Sequence, residues 1–143
     1  MRIGVLGLSI TSSWGNGHAT TFRALVKALL ARGHEVLFLE RVVPGPPPPR
    51  AAAAPAWGRV ELSAARADLH RRFRDEIARA DLVVLGSYVP EGVEVARQVL
   101  DTARGGVAFW DTGTPVTLGK LATGAHEYLH PALVPAFDLY LTF

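Results

Sequence analysis

The sequence lacks cysteine altogether, and no apolar stretch in it reaches membrane-spanning length. Without thiols the chain can form neither a disulfide framework nor a thiolate metal site. The apolar run at residues 1–8 is too short for a signal peptide and leads into a polar segment. No run of lysine and arginine suggests a face that tracks phosphates, and the formal net charge of +2 is too small to indicate a nucleic-acid partner. We therefore expect a cytoplasmic protein with no membrane span and no nucleic-acid partner.

Short apolar segments alternate with helical patterns along the chain. Strands are predicted at residues 1–8, 35–40, 58–62, 82–86, 107–110 and 137–143, and helices at 19–32, 64–80, 91–103 and 114–122. Apolar strands without polar alternation are typical of a parallel sheet that is buried on both faces. We predict one α/β domain over residues 1–143, a Rossmann-like parallel sheet of about six strands in the order 3-2-1-4-5-6 with helices on both faces.

One segment departs from this alternation. Residues 43–57 are rich in proline and alanine, including four consecutive prolines and four consecutive alanines. Consecutive prolines fix an extended backbone and remove hydrogen-bond donors, so neither a helix nor a strand can continue there. We predict a surface loop, with a proline-motif ligand for another protein as the alternative.

The loop after the first predicted strand is rich in glycine but matches no standard nucleotide signature. No Gly-Lys-Ser/Thr follows its glycines, so it is not a Walker loop. Gly15 and Gly17 supply the first pair of a dinucleotide-binding G-x-G-x-x-G motif, but Thr20 occupies the third position. Glu40 ends the second predicted strand, where an acidic residue would meet a ribose, so a nicotinamide cofactor stays an alternative.

His18 directly follows this loop, at the predicted start of the first helix. The positive end of a helix disfavours a protonated imidazole. A neutral histidine at that position could act as a general base toward a sugar hydroxyl. The alternative is that His18 only caps the loop or hydrogen-bonds to the backbone.

Four stretches carry a resemblance to a known family. They are the run GLSITSSWGNGHAT at 7–20, GHEV at 33–36, residues 81–92 and residues 111–118. Together they resemble the amino-terminal half of a two-domain GT-B glycosyltransferase, closest to the CgeB-like, spore-maturation-type group. The resemblance implies a domain that holds the sugar acceptor, while a second, carboxyl-terminal donor-binding domain absent from this chain holds most of the nucleotide-sugar donor. It also implies that no cofactor and no metal ion is needed for the chemical step.

The resemblance and the predicted strand order together give a set of candidate site residues. The loops that follow strands one, four and five converge where the strand order reverses, which is where open α/β sheets bind ligands. We predict His18 as the catalytic residue. The predicted substrate- and phosphate-binding residues are Ser13, Trp14, Gly15, Asn16, Gly17, Thr20, Ser87, Tyr88, Asp111 and Thr114. The predicted partners are a sugar acceptor, a nucleotide sugar and the donor-binding domain. A non-catalytic Rossmann-like module that binds a nucleotide, a small molecule or a partner remains the alternative.

Residues 126–130 match the zinc-protease pattern H-E-x-x-H. Its two histidines can bind one metal ion only when they lie on a helix. Gly124 precedes the motif and Pro131 follows it at once, which is typical of a loop or a single turn. We therefore predict no metal site at this position.

Overall fold

Six parallel strands form one sheet in the computed structural model, which describes residues 1–12, 17–42 and 58–142. In these ranges the strands are β1 Arg2–Gly7, β2 Glu35–Arg41, β3 Arg59–Ser63, β4 Leu82–Gly86, β5 Gly106–Asp111 and β6 Leu139–Thr142. Their order is β3-β2-β1-β4-β5-β6. The predicted fold class and strand order are both confirmed. The predicted loop at 43–57, four candidate site residues (Ser13, Trp14, Gly15 and Asn16) and Phe143 lie outside the described residues.

Helices cover both faces of the sheet, as predicted. They are α1 Gly17–Ala31, α2 Arg66–Arg71, α3 Arg74–Arg79, α4 Gly92–Thr102 and α5 Thr114–Thr123, followed by a 3-10 helix at Pro131–Ala136. Helix α1 packs on one face, where Phe22 and Val26 join the buried side chains of β1, β2 and β4. Helices α2, α3 and α4 contribute buried side chains to the other face. Among the described helices, none is long and apolar enough to cross a bilayer.

The single helix predicted at residues 64–80 is wrong, because the chain forms two short helices there. The break falls at Arg72 and Phe73, between α2 and α3. Tertiary contacts hold the break: Arg72 Nη1 donates to the carbonyl oxygen of Leu62 over 3.0 Å, and its guanidinium lies 4.6 Å from the centre of the Phe73 ring. The spacing that suggested one helix is retained, since Leu69, Phe73 and Ile77 are all buried.

The side chain of Asp68 binds the backbone at the start of α2. Its side chain is buried and accepts hydrogen bonds from the backbone N–H groups of Ala64 and Ala65 at 2.9 and 3.1 Å. These two bonds satisfy donors at the start of α2 that have no partner within the helix. The same hydrogen bonds, the one from Ala65 foremost, lower the pKa of Asp68.

A close approach of α1 to the sheet positions the amino-terminal end of that helix. The ring of Phe22 lies against Gly7 at the end of β1 and Gly86 at the end of β4. A Cβ atom at Gly7 would lie 2.6 Å from the ring, and one at Gly86 would lie 2.7 Å from it. Only glycine therefore fits at both strand ends, and α1 begins directly over the carboxyl edge of the two central strands.

Candidate functional site

Three loops meet at the carboxyl edge of the sheet, where the strand order reverses between β1 and β4. His18 is the second residue of α1, Ser87 directly follows β4, and Thr112 directly follows β5. The Thr112 hydroxyl lies 3.0 Å from His18 Nδ1 and 2.9 Å from Ser87 Oγ. Ser87 Oγ also accepts a hydrogen bond from the backbone N–H of Thr112 at 3.0 Å. The structure thus joins two predicted site residues through Thr112, which the sequence analysis missed.

Tyr88 forms one wall of this group and has a strained backbone. Its φ angle is 66°, in the left-handed region that a bulky residue rarely occupies. The ring centre lies 5.0 Å from that of His18 and 4.9 Å from that of Tyr128. The hydroxyl lies so close to Gly113 that a Cβ atom there would collide with it. Packing on three sides therefore holds the strained conformation, an arrangement that is concentrated at functional sites.

Tyr128 extends the aromatic wall into the interior and is another residue that the predicted site omitted. It is buried, and its hydroxyl lies 2.9 Å from Thr117 Oγ1. Burial raises the pKa of the Tyr128 phenol, so it stays protonated and serves as a hydrogen-bonding group. Its position in the sequence offers little signal, since it lies forty residues after Tyr88 in a turn.

Asp111, the last residue of β5, is fully buried. Its Oδ1 accepts hydrogen bonds from Gly113 N at 3.1 Å and from Thr117 Oγ1 at 2.8 Å, and its Oδ2 accepts one from the Tyr140 hydroxyl at 3.0 Å. Burial and this carboxylate raise the pKa of Tyr140. The three bonds tie the turn before α5 to the sheet and to β6. The predicted contact between Asp111 and a substrate stays a prediction.

The remaining described candidates lie near the same edge. Gly17 and Thr20 are exposed in the first turn of α1. Thr114 was expected to cap α5, but the cap position belongs to Gly113 and Thr114 is the first helical residue. The Thr114 hydroxyl instead bonds to that of Thr142 on β6. The helix begins at Thr114, as in the predicted range, and Asp111 binds the turn at Gly113 just before it.

The carboxylate of Glu40 bonds to Thr11, and not to the ribose position that a nicotinamide cofactor would require. The side chain is buried at the end of β2. One carboxylate oxygen accepts a hydrogen bond from the Thr11 backbone N–H and the other accepts one from the Thr11 hydroxyl, both at 2.8 Å. Both oxygens therefore fasten the loop after β1 to β2. This arrangement disfavours the dinucleotide alternative.

Arg41 is a buried cation at the same edge that the sequence analysis did not single out. Its side chain is 5% exposed, and Nη2 donates to Glu91 Oε2 at 2.7 Å. Its Nε and Nη1 atoms are buried and have no hydrogen-bond partner among the described residues. Unpaired buried donors are rare in folded proteins, so Arg41 is a costly residue. An arginine inside an otherwise apolar run, Val-Leu-Phe-Leu-Glu-Arg-Val, is the sequence signal that could have found it.

The H-E-x-x-H segment does not form a metal-binding helix. Residues 126–130 form a turn that leads to the 3-10 helix. Glu127 pairs with Lys120 at 2.6 Å, and His130 Nδ1 accepts a hydrogen bond from the backbone N–H of Ala132 at 3.1 Å. His126 packs edge-on against His130, with ring centres 4.5 Å apart. In the described part of the chain, no cluster of three or more histidine, aspartate or glutamate side chains could hold a metal ion.

A separate cavity of about 290 Å³ lies at the opposite end of the sheet. It is lined by residues of β1, β2 and α3 and by Arg59 at the start of β3, and the lining includes the three arginines Arg2, Arg59 and Arg79. It contains none of the predicted site residues. It therefore provides a competing location against which ligand binding at the carboxyl edge can be tested.

Comparison with known proteins gives a structural likeness without a sequence relationship. No protein-family model matches the chain, and no curated protein matches it in sequence. The fold resembles an alpha-glucosyltransferase in complex with UDP, with a TM-score of 0.58 and 14% identity over 96% of this chain. The same enzyme in complex with UDP-glucose and DNA containing an abasic site gives a TM-score of 0.57 at 14% identity over 96% of this chain.

This chain spans about a third of that enzyme: 34% of its length is covered in both complexes. A protein of unknown function from Vibrio parahaemolyticus gives a TM-score of 0.51 at 9% identity, with 98% of this chain and 91% of that chain covered. At these identities the likeness establishes the fold. The chain has a Rossmann-like α/β fold, which it shares with part of that glucosyltransferase.

Proposed function

We propose that this chain is the acceptor-side domain of a glycosyltransferase that moves a sugar from a nucleotide-sugar donor to an acceptor. The observation that carries the proposal is that a fold shared with a glucosyltransferase places polar and aromatic side chains together at its carboxyl edge. The chain shares its fold with about a third of a UDP-binding glucosyltransferase. Its polar and aromatic side chains gather at the carboxyl edge, beside the amino-terminal end of α1. Such an edge, beside the amino-terminal end of a helix, is where α/β domains bind anionic and sugar ligands.

His18 is the residue that we propose contacts the substrates, as a general base or as a group that orients the acceptor. It lies half-buried between the Tyr88 ring and the Thr112 hydroxyl. An imidazole fixed on two sides loses little side-chain freedom when a ligand binds, which favours precise orientation of a hydroxyl or phosphate oxygen. Tyr88 supplies an apolar and aromatic surface beside it, of the kind that packs against a sugar ring or a base.

The finer assignments are also proposals. The four stretches quoted from the sequence favour the CgeB-like group among GT-B enzymes. We propose that a second domain, in a longer chain or a separate subunit, holds most of the nucleotide sugar, whose phosphates reach the carboxyl edge of this chain, and that the reaction needs no divalent ion. We propose a cytoplasmic location, where nucleotide sugars are made.

Ligand mapping by nuclear magnetic resonance tests where this chain binds. UDP, UDP-glucose and glucose should shift backbone amide signals of Gly17, Ser87 and Gly113 at the carboxyl edge. The amides of Arg2 and Arg59, in the lining of the opposite cavity, serve as the internal reference. His18→Ala should weaken these shifts, whereas His70→Ala, which changes an exposed histidine on α2, should leave them unchanged. Shifts confined to the opposite cavity, or none with any probe, would argue against the proposal.

A turnover assay tests the need for a second domain. One wall of a cleft excludes little water and holds no donor in attack geometry, so most of the proximity and electrostatic contributions to catalysis are absent. We expect these 143 residues alone to release no nucleoside diphosphate from a panel of nucleotide sugars and acceptors. Acceptor-dependent turnover by this chain alone would contradict the two-domain proposal.

A further inference from the structure

A chain of hydrogen bonds leads from the protein interior to His18. The backbone N–H of Thr112 donates to Ser87 Oγ at 3.0 Å, Ser87 Oγ lies 2.9 Å from Thr112 Oγ1, and Thr112 Oγ1 lies 3.0 Å from His18 Nδ1. The direction of the last two bonds follows from where each hydroxyl proton can find an acceptor. That direction determines which ring nitrogen of His18 carries its proton.

The hydroxyl proton of Ser87 has one possible acceptor among the described residues. Ser87 is 1% exposed, and its oxygen already accepts the Thr112 N–H. Within the described residues, Thr112 Oγ1 is the only acceptor within reach of the Ser87 proton. Leaving a buried hydroxyl without an acceptor destabilises the fold, so Ser87 donates to Thr112.

The hydroxyl of Thr112 then has one protein acceptor left. Its oxygen receives the Ser87 proton, so its own proton must point elsewhere, and among the described residues the remaining partner is His18 Nδ1. A nitrogen that accepts a hydrogen bond carries no proton. In the opposite arrangement, Nδ1–H donates to Thr112 and the Thr112 proton has no protein acceptor in the part of the chain that the structure describes.

We propose that Thr112 and Ser87 are positioning residues that place the proton of the neutral His18 ring on Nε2. In that form Nε2 donates a hydrogen bond, and it cannot take a proton from an acceptor hydroxyl. Resting on the proposed function, this assigns His18 to orienting a phosphate or sugar oxygen, and leaves the general-base role to another group. The tautomer itself does not depend on that function.

The tautomer can be measured directly on this chain. In the ¹⁵N-labelled protein at neutral pH, imidazole correlation spectra should show a protonated nitrogen at Nε2 and an unprotonated nitrogen at Nδ1 of His18, with the signals identified by their loss in His18→Gln. Thr112→Val keeps the side-chain shape but removes the donor, so the two nitrogen shifts should move toward each other as the tautomers exchange. Thr112→Ser restores the hydroxyl and should restore the separation. A proton on Nδ1 in the unaltered protein, or an unchanged spectrum in Thr112→Val, would overturn the proposal.

A second measurement tests, independently of the tautomer, whether His18 donates a hydrogen bond to the ligand. Glutamine at position 18 can donate a hydrogen bond from its amide but cannot act as a base at neutral pH. If His18 is a donor, His18→Gln should retain UDP affinity within a few-fold, while His18→Ala should lose about tenfold or more. Equal losses in both variants would overturn the donor role. A failure of UDP to bind the unaltered protein would count against the proposed function and leave the measured tautomer standing.

Discussion

Replacing Gly7 by alanine should disturb the junction that places His18 at the site. The new Cβ atom would lie 2.6 Å from the Phe22 ring, whereas ordinary contacts begin at 3.4 Å. The ring would have to retreat by about 0.8 Å, and overpacking on this scale costs about 1–3 kcal/mol. It has no room to do so, because its edges pack against Phe38 and Trp110 with ring centres 5.2 Å apart in both pairs. We therefore expect α1 to shift outward.

The same strand provides the control. Gly4 also lies in β1, but a Cβ atom there would meet the nearest atom of Val83 at 3.8 Å, an ordinary contact. Gly4→Ala should therefore change the free energy of unfolding by less than about 0.5 kcal/mol. Urea denaturation followed by far-ultraviolet circular dichroism measures both variants.

A double variant tests the cause. Phe22→Leu removes the two nearest of the atoms that collide with the new methyl group and leaves Phe38 Cζ at 2.9 Å. Gly7→Ala should therefore cost less in the Phe22→Leu background by about 1 kcal/mol or more. The imidazole signals of His18 should shift in Gly7→Ala and stay unchanged in Gly4→Ala. Equal stability of Gly7→Ala and Gly4→Ala, or strict additivity with Phe22→Leu, would refute the close-packing argument.

Three further predictions concern charge, pH and metal. Glu91→Gln removes the counter-charge of the buried Arg41 guanidinium and should lower the free energy of unfolding in urea by about 1–3 kcal/mol. Arg41→Met should be near neutral, because it also removes two donors that have no partner among the described residues. A larger loss of stability in Arg41→Met than in Glu91→Gln would contradict this. The pKa of Tyr140 is raised in the fold, so unfolded chains lose this proton first and the free energy of unfolding should fall as pH rises above about 10, with a smaller fall in Tyr140→Phe. Protein purified without a histidine tag should contain no stoichiometric zinc; one equivalent that is lost on replacing His126 and His130 would show the prediction to be wrong.

The sheet could be predicted because its signals are local. Each strand is a short apolar run that ends near a glycine or a polar residue, and such runs, spaced by helical patterns, indicate a parallel sheet with little ambiguity. The break between α2 and α3 was missed because it depends on Arg72 reaching the carbonyl oxygen of Leu62, ten residues earlier. A long-range contact of this kind leaves no trace in the helical spacing of Leu69, Phe73 and Ile77.

The candidate site was predicted in outline for a similar reason. Strand order alone brings the loops after β1, β4 and β5 together, so His18, Ser87 and Tyr88 were expected to converge. Thr112 was not expected, because a threonine after a strand is common. Its role in the site depends on hydrogen bonds to Ser87 and His18, which lie 25 and 94 positions earlier in the sequence. Asp111, the charged residue next to Thr112, was predicted as a site residue instead. All three of its hydrogen bonds are to other residues of the fold.

Strain and close packing are combined at this edge in a way that links stability to the site. Ser9 after β1 and Tyr88 after β4 both have positive φ angles, at the ends of the two strands between which the order reverses. Such conformations cost of order 1–3 kcal/mol each and persist only where the surroundings fix them. For Tyr88 the surroundings are His18 and Tyr128, and its ring in turn confines the imidazole. If the Tyr88 backbone relaxed to a negative φ angle, its ring would move away from the His18 imidazole. The fixed position of the imidazole therefore depends on the packing that keeps Tyr88 in its unfavourable conformation.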